Sequence, residues 1–177
     1  MSQEKHQYVH LFTGKPQVGK STIIKKIVNA LGVEMCGGFY TEEIRIQGNR
    51  MGFRLVTLDG QEGIMAYRGL ASPITVGNYG VDISCLDELG VKALYQALTT
   101  KKLIVIDEIG PMEAHSHAFR QGVMDVLASS KPVVGTIVWR SDSWLDAVKR
   151  HQRVKLYEVT LTNRDAVVEE LLKQVDL

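Results

Sequence analysis

Apolar residues recur along this chain at two spacings, one typical of helices and one typical of strands. The helical spacing, clearest at Ile23, Ile27 and Leu31, predicts helices over residues 22–31, 85–100, 111–130, 142–152 and 165–175. Short runs of β-favouring apolar residues predict strands over residues 8–12, 103–106, 131–139 and 154–160. Because apolar strands alternate with helices, the chain is expected to form an α/β fold around a mainly parallel sheet.

Residues 37–69 follow a different pattern, in which short apolar runs are separated by turn sequences. The turns are Gln47-Gly48-Asn49 and Asp59-Gly60, and an Asp-Gly pair is a strong hairpin signal. We therefore predict an antiparallel meander of three strands that extends the main sheet. Its charged residues fit a solvated strand face. Residues 71–84, rich in Gly, Pro, Ser and Asn, predict a loop with at most one short strand.

Polar residues and one glycine refine these helices. Ser141 stands where a cap is expected for the helix over residues 142–152, and Thr162 or Asn163 for the last helix. Gly90 is expected to weaken or bend the helix over residues 85–100.

The composition fits one domain that spans residues 1–177, long enough to bury a large core. The net charge of +1 gives no indication of a nucleic-acid-binding surface. Residues 1–10 lack the apolar centre of a signal peptide, and no later run approaches the ~20 apolar residues of a membrane span. Cys36 and Cys85 lack metal-binding or redox spacing. We expect a cytoplasmic protein, monomeric and without a membrane partner.

The clearest chemical signal is the sequence GKPQVGKS, which has the spacing Gly-x-x-x-x-Gly-Lys-Ser between a predicted strand and a predicted helix. Successive backbone N–H groups and the positive end of a helix dipole make such a loop an anion site. Lys20 is expected to contact the β- and γ-phosphates of a nucleotide, and the Ser21 hydroxyl to bind Mg²⁺. The predicted nucleotide-binding residues of this loop are Gly14, Lys15, Pro16, Gln17, Val18, Gly19, Lys20, Ser21 and Thr22.

A second chemical signal lies at the end of the strand over residues 103–106. Asp107 and Glu108 follow this apolar run directly, and open α/β sheets bind ligands at the carboxyl ends of their strands. Asp107 is predicted to hold Mg²⁺ through a water, and Glu108 to polarise the water that attacks the γ-phosphate. Thr136 is a candidate contact of the γ-phosphate, and Arg140 a candidate arginine finger.

Seven segments in this order resemble the nucleoside-triphosphatase family first described from thermophiles, whose human member is called cancer-related nucleoside-triphosphatase. The segments are GKPQVGKS, GGFYTEEIR, GFRLVTLDG, YGVDI, VIDEIGPME, VGTI and VTLTNRD. The resemblance covers nearly the whole chain. It implies the three-layer P-loop NTPase fold, with helices on both faces of the sheet and with the strand of residues 133–137 between the loop strand and the Asp107 strand. It also implies slow, Mg²⁺-dependent hydrolysis of ATP, GTP and other nucleoside triphosphates.

The resemblance also implies roles for residues near the end of the chain. Asn163 and Arg164 match the segment after the last strand, where related folds often hold the base. Two positions depart from the family. Gln17 stands where the loop usually has Gly, so a bulkier side chain lies beside the phosphates and is expected to slow turnover. Asn78 replaces a residue that is usually Lys.

Two other functions remain open from the residues alone. A nucleotide or small-molecule kinase would share the fold and differ in the acceptor, although no arginine-rich lid follows a central helix. An NTP-dependent regulatory or partner-binding switch would use the Asp-x-x-Gly pattern of Asp107 and Gly110. However, Asn163-Arg164-Asp165 does not match the Asn-Lys-x-Asp motif that recognises guanine.

Overall fold

A nine-stranded mixed sheet forms the centre of the protein, in a computed structural model that describes residues 7–175. Most of the polar segment over residues 1–10 lies outside the described residues. The strands are β1 (Val9–Thr13), β2 (Cys36–Ile46), β3 (Asn49–Thr57), β4 (Glu62–Arg68), β5 (Thr75–Val76), β6 (Tyr79–Val81), β7 (Leu103–Ile109), β8 (Val133–Ile137) and β9 (Val154–Glu158). Their order across the sheet is β5-β6-β4-β3-β2-β7-β8-β1-β9.

The parallel half of the sheet carries the most deeply buried strands. β1 pairs in parallel with β8 and β9, and β7 pairs in parallel with β8 and β2. All residues of β1 and β8 are buried, as expected of central parallel strands, and they include the polar residues His10, Thr13 and Thr136. The predicted position of β8 between the loop strand and the Asp107 strand is confirmed.

Helices cover both faces of the sheet, as predicted. They are α1 (Lys20–Leu31), α2 (Ile83–Cys85), α3 (Lys92–Thr100), α4 (His117–Ala128), α5 (Ser143–Lys149) and α6 (Arg164–Gln174). Successive residues of β7 enter different cores, because side chains alternate along a strand. Ile104 and Ile106 pack towards α3, α4 and α5, whereas Leu103 and Val105 pack towards α1 and α6.

The predicted meander is confirmed as β2, β3 and β4, which pair antiparallel and extend the sheet. β2 pairs with β7 as far as Tyr40, which lies opposite Asp107, and then continues to Ile46 against β3. β2 therefore continues beyond Asp107, which is the last residue of β7 with which it pairs. Residues 71–84 contain two short strands, β5 and β6, where at most one was predicted, because β6 adds to the edge of β4.

Two helix predictions need correction. The single helix over residues 111–130 is wrong, since a 3₁₀ turn (Glu113–His115) comes first and α4 begins after Ser116. The Ser116 hydroxyl accepts a hydrogen bond from the Phe119 N–H and so starts a new helix. α5 is capped by Asp142 and not by Ser141.

Gly90 lies in a π-helical segment (Leu86–Val91) that joins α2 to α3. The irregularity predicted for this helix is therefore present. A Cβ at Gly90 would lie 2.9 Å from Leu55 Cδ1 of β3, so the glycine lets the helix approach the sheet closely.

The helices described between residues 7 and 175 include none with both the length and the apolar character of a membrane span.

Candidate functional site

The loop of residues 14–19 joins β1 to α1 and has the backbone of an anion-binding loop. Gly14 has φ 149°, and a Cβ there would lie 2.5 Å from the Val159 carbonyl oxygen, so a larger residue does not fit. Gly19 caps α1 in the left-handed conformation. No acidic residue stands in the first turn of α1 to oppose the positive end of its dipole. This helix end can therefore receive phosphate.

Lys20 is the first residue of α1, and its ammonium group lies over the loop. Its Nζ donates hydrogen bonds to the carbonyl oxygens of Gly14, at 3.0 Å, and Lys15, at 3.2 Å. A positive charge is thus held where phosphate oxygens would approach the backbone.

Gln17 has an unusual backbone for a residue with a side chain. Its φ is 65°, in the left-handed region that favours glycine, and the residue is exposed. For a non-glycine residue this conformation costs roughly 1–2 kcal/mol. A glycine at position 17 would adopt this backbone without that cost.

Asp107 is buried at the end of β7, with 2% of its surface exposed. Its Oδ1 accepts a hydrogen bond from Thr136 Oγ1 at 2.5 Å, whereas Oδ2 is buried and has no hydrogen-bond partner among the described residues. Burial raises the pKa of Asp107, and the hydroxyl groups of Thr136 and Ser21 oppose that shift. Thr136 is fully buried, and its hydroxyl donates a hydrogen bond to Asp107. This position does not support the direct phosphate contact that was predicted for Thr136.

The residues around Asp107 fit Mg²⁺. This ion takes hard oxygen ligands, keeps several waters and is often held by one or two carboxylates together with phosphates. The unpartnered Asp107 Oδ2 supplies one such oxygen, and the hydroxyl of Ser21, which lines the same cleft, supplies another.

Two more carboxyl groups converge beyond Asp107, around Gly110. The position of a Cβ on Gly110 would be 2.9 Å from Glu108 Oε1 and 3.0 Å from Glu113 Oε2, so these two oxygens are at most about 6 Å apart. Burial, and then the charge of Asp107, raises the pKa of Glu108 to about 7. Burial, and then the charge of Glu108, raises the pKa of Glu113 to about 8. A carboxyl group with a pKa near 7 can exchange a proton at neutral pH.

Sequence reasoning missed Glu113 as a member of this site. It stands after Met112 in the signature DEIGPME, but its spacing does not distinguish it from a solvated acid near a helix start. The structure buries it to 4% exposure because the 3₁₀ turn folds back over the end of β7.

These groups open into one cleft of about 790 Å³. Most of the predicted site residues line it, namely Gly14, Pro16, Gln17, Gly19, Lys20, Ser21, Thr22, Asp107 and Glu108. Lys15 and Val18 do not, and Val18 packs against the core beneath α1 and α6. The opposite wall includes Glu43, Arg50, Phe53, Met65 and Met112, which were not predicted to belong to the site.

Asn163 and Arg164 lie outside this lining, at the other side of the loop. A guanidinium nitrogen of Arg164 is 3.4 Å from the position of a Cβ on Gly19. The Asn163 amide accepts from the Thr160 N–H and donates to the Glu158 carbonyl oxygen, both at 2.8 Å. Arg164 is thus beside the loop, and Asn163 orders the turn between β9 and α6.

Arg50 is the arginine that reaches the cleft among the described residues, and Arg140 does not. Arg50 donates to Glu43 at 3.0 Å and to the Tyr79 hydroxyl at 3.1 Å. Its guanidinium is thereby fixed on the meander wall.

A phosphate loop after β1 and a buried acidic strand two positions away in the sheet define the class of P-loop nucleoside-triphosphatases. The NTPase family model matches residues 9–172. The nucleoside-triphosphatase THEP1 of Thermotoga sp. (strain RQ2) is 46% identical over 92% of each chain, and that of Thermotoga maritima is 44% identical over the same shares. The chain belongs to the THEP1 family of nucleoside-triphosphatases.

Solved structures agree with this assignment. The crystal structure of THEP1 from the hyperthermophile Aquifex aeolicus has 36% sequence identity and a TM-score of 0.88, over 96% of this chain and 100% of that chain. The solution structure of a human cancer-related nucleoside triphosphatase has 33% identity and a TM-score of 0.79, over 94% of this chain and 96% of that chain. The predicted family, fold and enzyme class are confirmed.

Proposed function

We propose that this protein hydrolyses nucleoside 5′-triphosphates, ATP and GTP among them, to diphosphate and phosphate, slowly, with Mg²⁺ and with broad base tolerance. The observation that carries the proposal is a single cleft lined both by Lys20 of the phosphate loop and by the carboxyl group of Glu108. A cation for the phosphates and a proton acceptor for water are the two groups that this displacement needs.

The backbone N–H groups of residues 14–22 bind the phosphates, and Lys20 contacts the β- and γ-phosphates. Ser21 and Asp107 hold Mg²⁺, Asp107 through a water. The ion, when bound, neutralises charge on the phosphates. Thr136 fixes the Asp107 carboxylate, because its hydroxyl bonds one of the two carboxylate oxygens.

Glu108 acts as the general base. It accepts a proton from the attacking water, whose oxygen forms a bond to the γ-phosphorus as the bond to the β–γ bridging oxygen breaks. Burial raises the pKa of Glu108 to about 7, so a substantial fraction of this carboxyl group is ionised at neutral pH. The same raised pKa makes the carboxylate basic enough to take the proton.

Arg164 contacts the base, and Asn163 holds the turn that presents it. A guanidinium can stack on the face of any base, and stacking does not distinguish one base from another. This accounts for broad base tolerance. It also separates the protein from a regulatory GTP switch, for which a GTP preference above about a hundredfold, or ~2.7 kcal/mol, would be expected.

We further propose that residues 1–177 form one domain that acts as a monomer. The match of the family model to residues 9–172 and the continuous nine-stranded sheet support the single domain.

Phosphate release from ATP and GTP with Mg²⁺ tests the activity, and Glu108→Gln tests the mechanism. The variant is expected to bind nucleotide but to hydrolyse it at least about tenfold more slowly, because glutamine cannot accept the proton. Glu88→Gln, at an exposed position outside the cleft, is the matched control and is expected to keep the full rate. Unchanged turnover in Glu108→Gln would remove Glu108 from the mechanism, and no phosphate release from the unmodified protein would overturn the activity.

A further inference from the structure

The cleft has a second end, which phosphate binding does not use. Besides the charged residues Glu43 and Arg50, it is lined by five apolar residues from four separate parts of the chain: Phe53 of β3, Met65 of β4, Met112 after β7, and Val138 with Trp139 after β8. We call these five residues the apolar compartment.

The sheet order places the apolar compartment beyond the γ-phosphate, if the nucleotide lies as proposed above. Arg164 follows β9, which is on one side of β1, whereas β7 is on the other side. A nucleotide with its base beside Arg164 and its phosphates on the loop therefore points its γ-phosphate towards Glu108. Phe53 and Met65 come from strands that lie farther along in the same direction.

The character of the apolar compartment suits an organic molecule better than a water. A water that attacks phosphorus is held by polar groups, and here Glu108 already provides one. Phe53 and Met112 are partly buried and Met65 lies beneath them at 1% exposure. Covering such apolar surface favours binding, and apolar walls with a few placed polar groups are typical of small-molecule sites.

Polar groups at the rim add direction to this surface. Arg50 lies over the Phe53 ring at 5.3 Å and donates to Glu43 at 3.0 Å, so the aromatic ring and the ion pair hold each other in place. The pair presents both donors and an acceptor, which match the ring nitrogens and exocyclic groups of a heterocycle. The Trp139 side chain, 55% exposed, is free to stack on a flat ring.

We propose that the apolar compartment binds a heteroaromatic alcohol of about nucleoside size, and that the protein transfers the γ-phosphate to its hydroxyl group. Glu108 accepts the hydroxyl proton, and the hydroxyl oxygen forms a bond to the γ-phosphorus. The bond to the β–γ bridging oxygen breaks, so a nucleoside diphosphate leaves and a phosphate monoester forms. Hydrolysis is the same displacement with water in place of the alcohol.

The experiment uses ATP labelled in the γ-phosphate, Mg²⁺ and five separate probes: adenosine, guanosine, cytidine, uridine and pyridoxine. Labelled ester and labelled inorganic phosphate are separated and counted. At least one probe is expected to yield ester with saturation. Met112→Ala and Phe53→Ala are expected to lower the ratio of ester to inorganic phosphate at least tenfold, because each removes a wall of the compartment. Met124→Ala, an exposed methionine of α4 outside the cleft, is the matched control and should keep the ratio.

The outcomes separate this proposal from the hydrolysis proposal. Inorganic phosphate without ester from any of the five probes overturns the acceptor site and leaves hydrolysis standing. An equal ratio in Met112→Ala, Phe53→Ala and Met124→Ala also overturns it. Loss of both products in the unmodified protein overturns the two proposals together.

Discussion

Thr136 Oγ1 donates a 2.5 Å hydrogen bond to Asp107 Oδ1, from one central strand of the sheet to the next. Both side chains are almost completely buried, at 0% and 2% exposure. The bond occupies one carboxylate oxygen and leaves Oδ2 as the oxygen available to Mg²⁺. Removing a group that orients a metal ligand in this way commonly lowers metal affinity by a factor of roughly 10 to 100.

Thr136→Val is therefore expected to raise the Mg²⁺ concentration for half-maximal hydrolysis by about tenfold, because valine keeps the shape and loses the hydroxyl. A Mg²⁺ titration of phosphate release measures this effect. Thr136→Ser keeps the hydroxyl and is expected to stay close to the unmodified protein. Identical titrations for the valine and serine variants would contradict the role of the hydrogen bond.

Gln17→Gly is expected to raise turnover. Glycine adopts the left-handed backbone at position 17 without the cost of a Cβ, and it removes a side chain that lines the cleft beside the phosphates. The gain in the free energy of unfolding is expected to be small. The extra freedom of glycine in the unfolded chain costs about 0.5–1 kcal/mol, which offsets much of the relieved backbone strain.

Gln17→Ala separates the two causes. Alanine keeps the strained backbone but removes the long side chain, so crowding predicts faster turnover in both variants, whereas backbone strain predicts it in Gln17→Gly alone. Steady-state phosphate release decides between them. Turnover equal to that of the unmodified protein in both would show that Gln17 does not limit the rate.

Arg164→Ala is expected to weaken nucleotide binding by a factor of about 2 to 5, which corresponds to the 0.5–1 kcal/mol of an exposed cation–π contact. The loss should be similar for ATP and GTP, because stacking is insensitive to the base. Competition with a fluorescent nucleotide measures both affinities. Lys173→Ala, in the last turn of the same helix, is the control. A loss confined to one of the two nucleotides would mean that Arg164 makes a base-specific hydrogen bond.

Glu113→Gln is expected to flatten the pH dependence of stability. Glu113 has a pKa of about 8 in the folded chain, and an unfolded chain gives glutamate its ordinary pKa near about 4.3. Between these values the folded state holds more protons, so the free energy of unfolding falls as the pH rises, by at most about 1.4 kcal/mol per pH unit. The contribution is fully present below the lower pKa and lost above the higher one.

Chemical denaturation at several pH values from roughly 5 to 8 measures this slope. The glutamine variant should gain most, relative to the unmodified protein, at the upper end of the range. Glu88→Gln, at an exposed position outside the cleft, is the matched control. A slope that is equally steep in Glu113→Gln would show that the buried carboxyl does not carry the titration.

Local sequence patterns were sufficient to predict the phosphate loop and the strand that ends in Asp107, because each depends on short-range spacing. A glycine motif between an apolar strand and a helix determines where phosphate binds, and an unbroken apolar run determines that β7 is central. The burial of Glu113 in the site could not be predicted from local spacing. It depends on the break in the helix at Ser116, which in turn depends on a hydrogen bond from that serine to Asp87 in a distant part of the chain.

The meander wall of the cleft could not be predicted for a different physical reason. The pairing of β2 with β3 is irregular between Ile44 and Arg45, and that of β3 with β4 between Phe53 and Arg54. An extra residue at such an irregularity reverses which side chains face a given side of the sheet. Alternation along residues 37–69 therefore predicted the strands but not that Arg50 and Phe53 face the cleft.

The path of β2 beyond Tyr40 also bears on how the family can diversify. From Thr41 to Arg68 the meander is one uninterrupted stretch, and it supplies neither the phosphate loop nor the acidic strand. Two of the five residues of the apolar compartment, Phe53 and Met65, thus come from a stretch of the chain that is separate from the phosphate loop and the acidic strand. A chimaera could keep residues 36–40, which pair with β7, and exchange residues 41–68 between relatives. It would change these two apolar walls and leave the phosphate loop and the acidic strand unaltered.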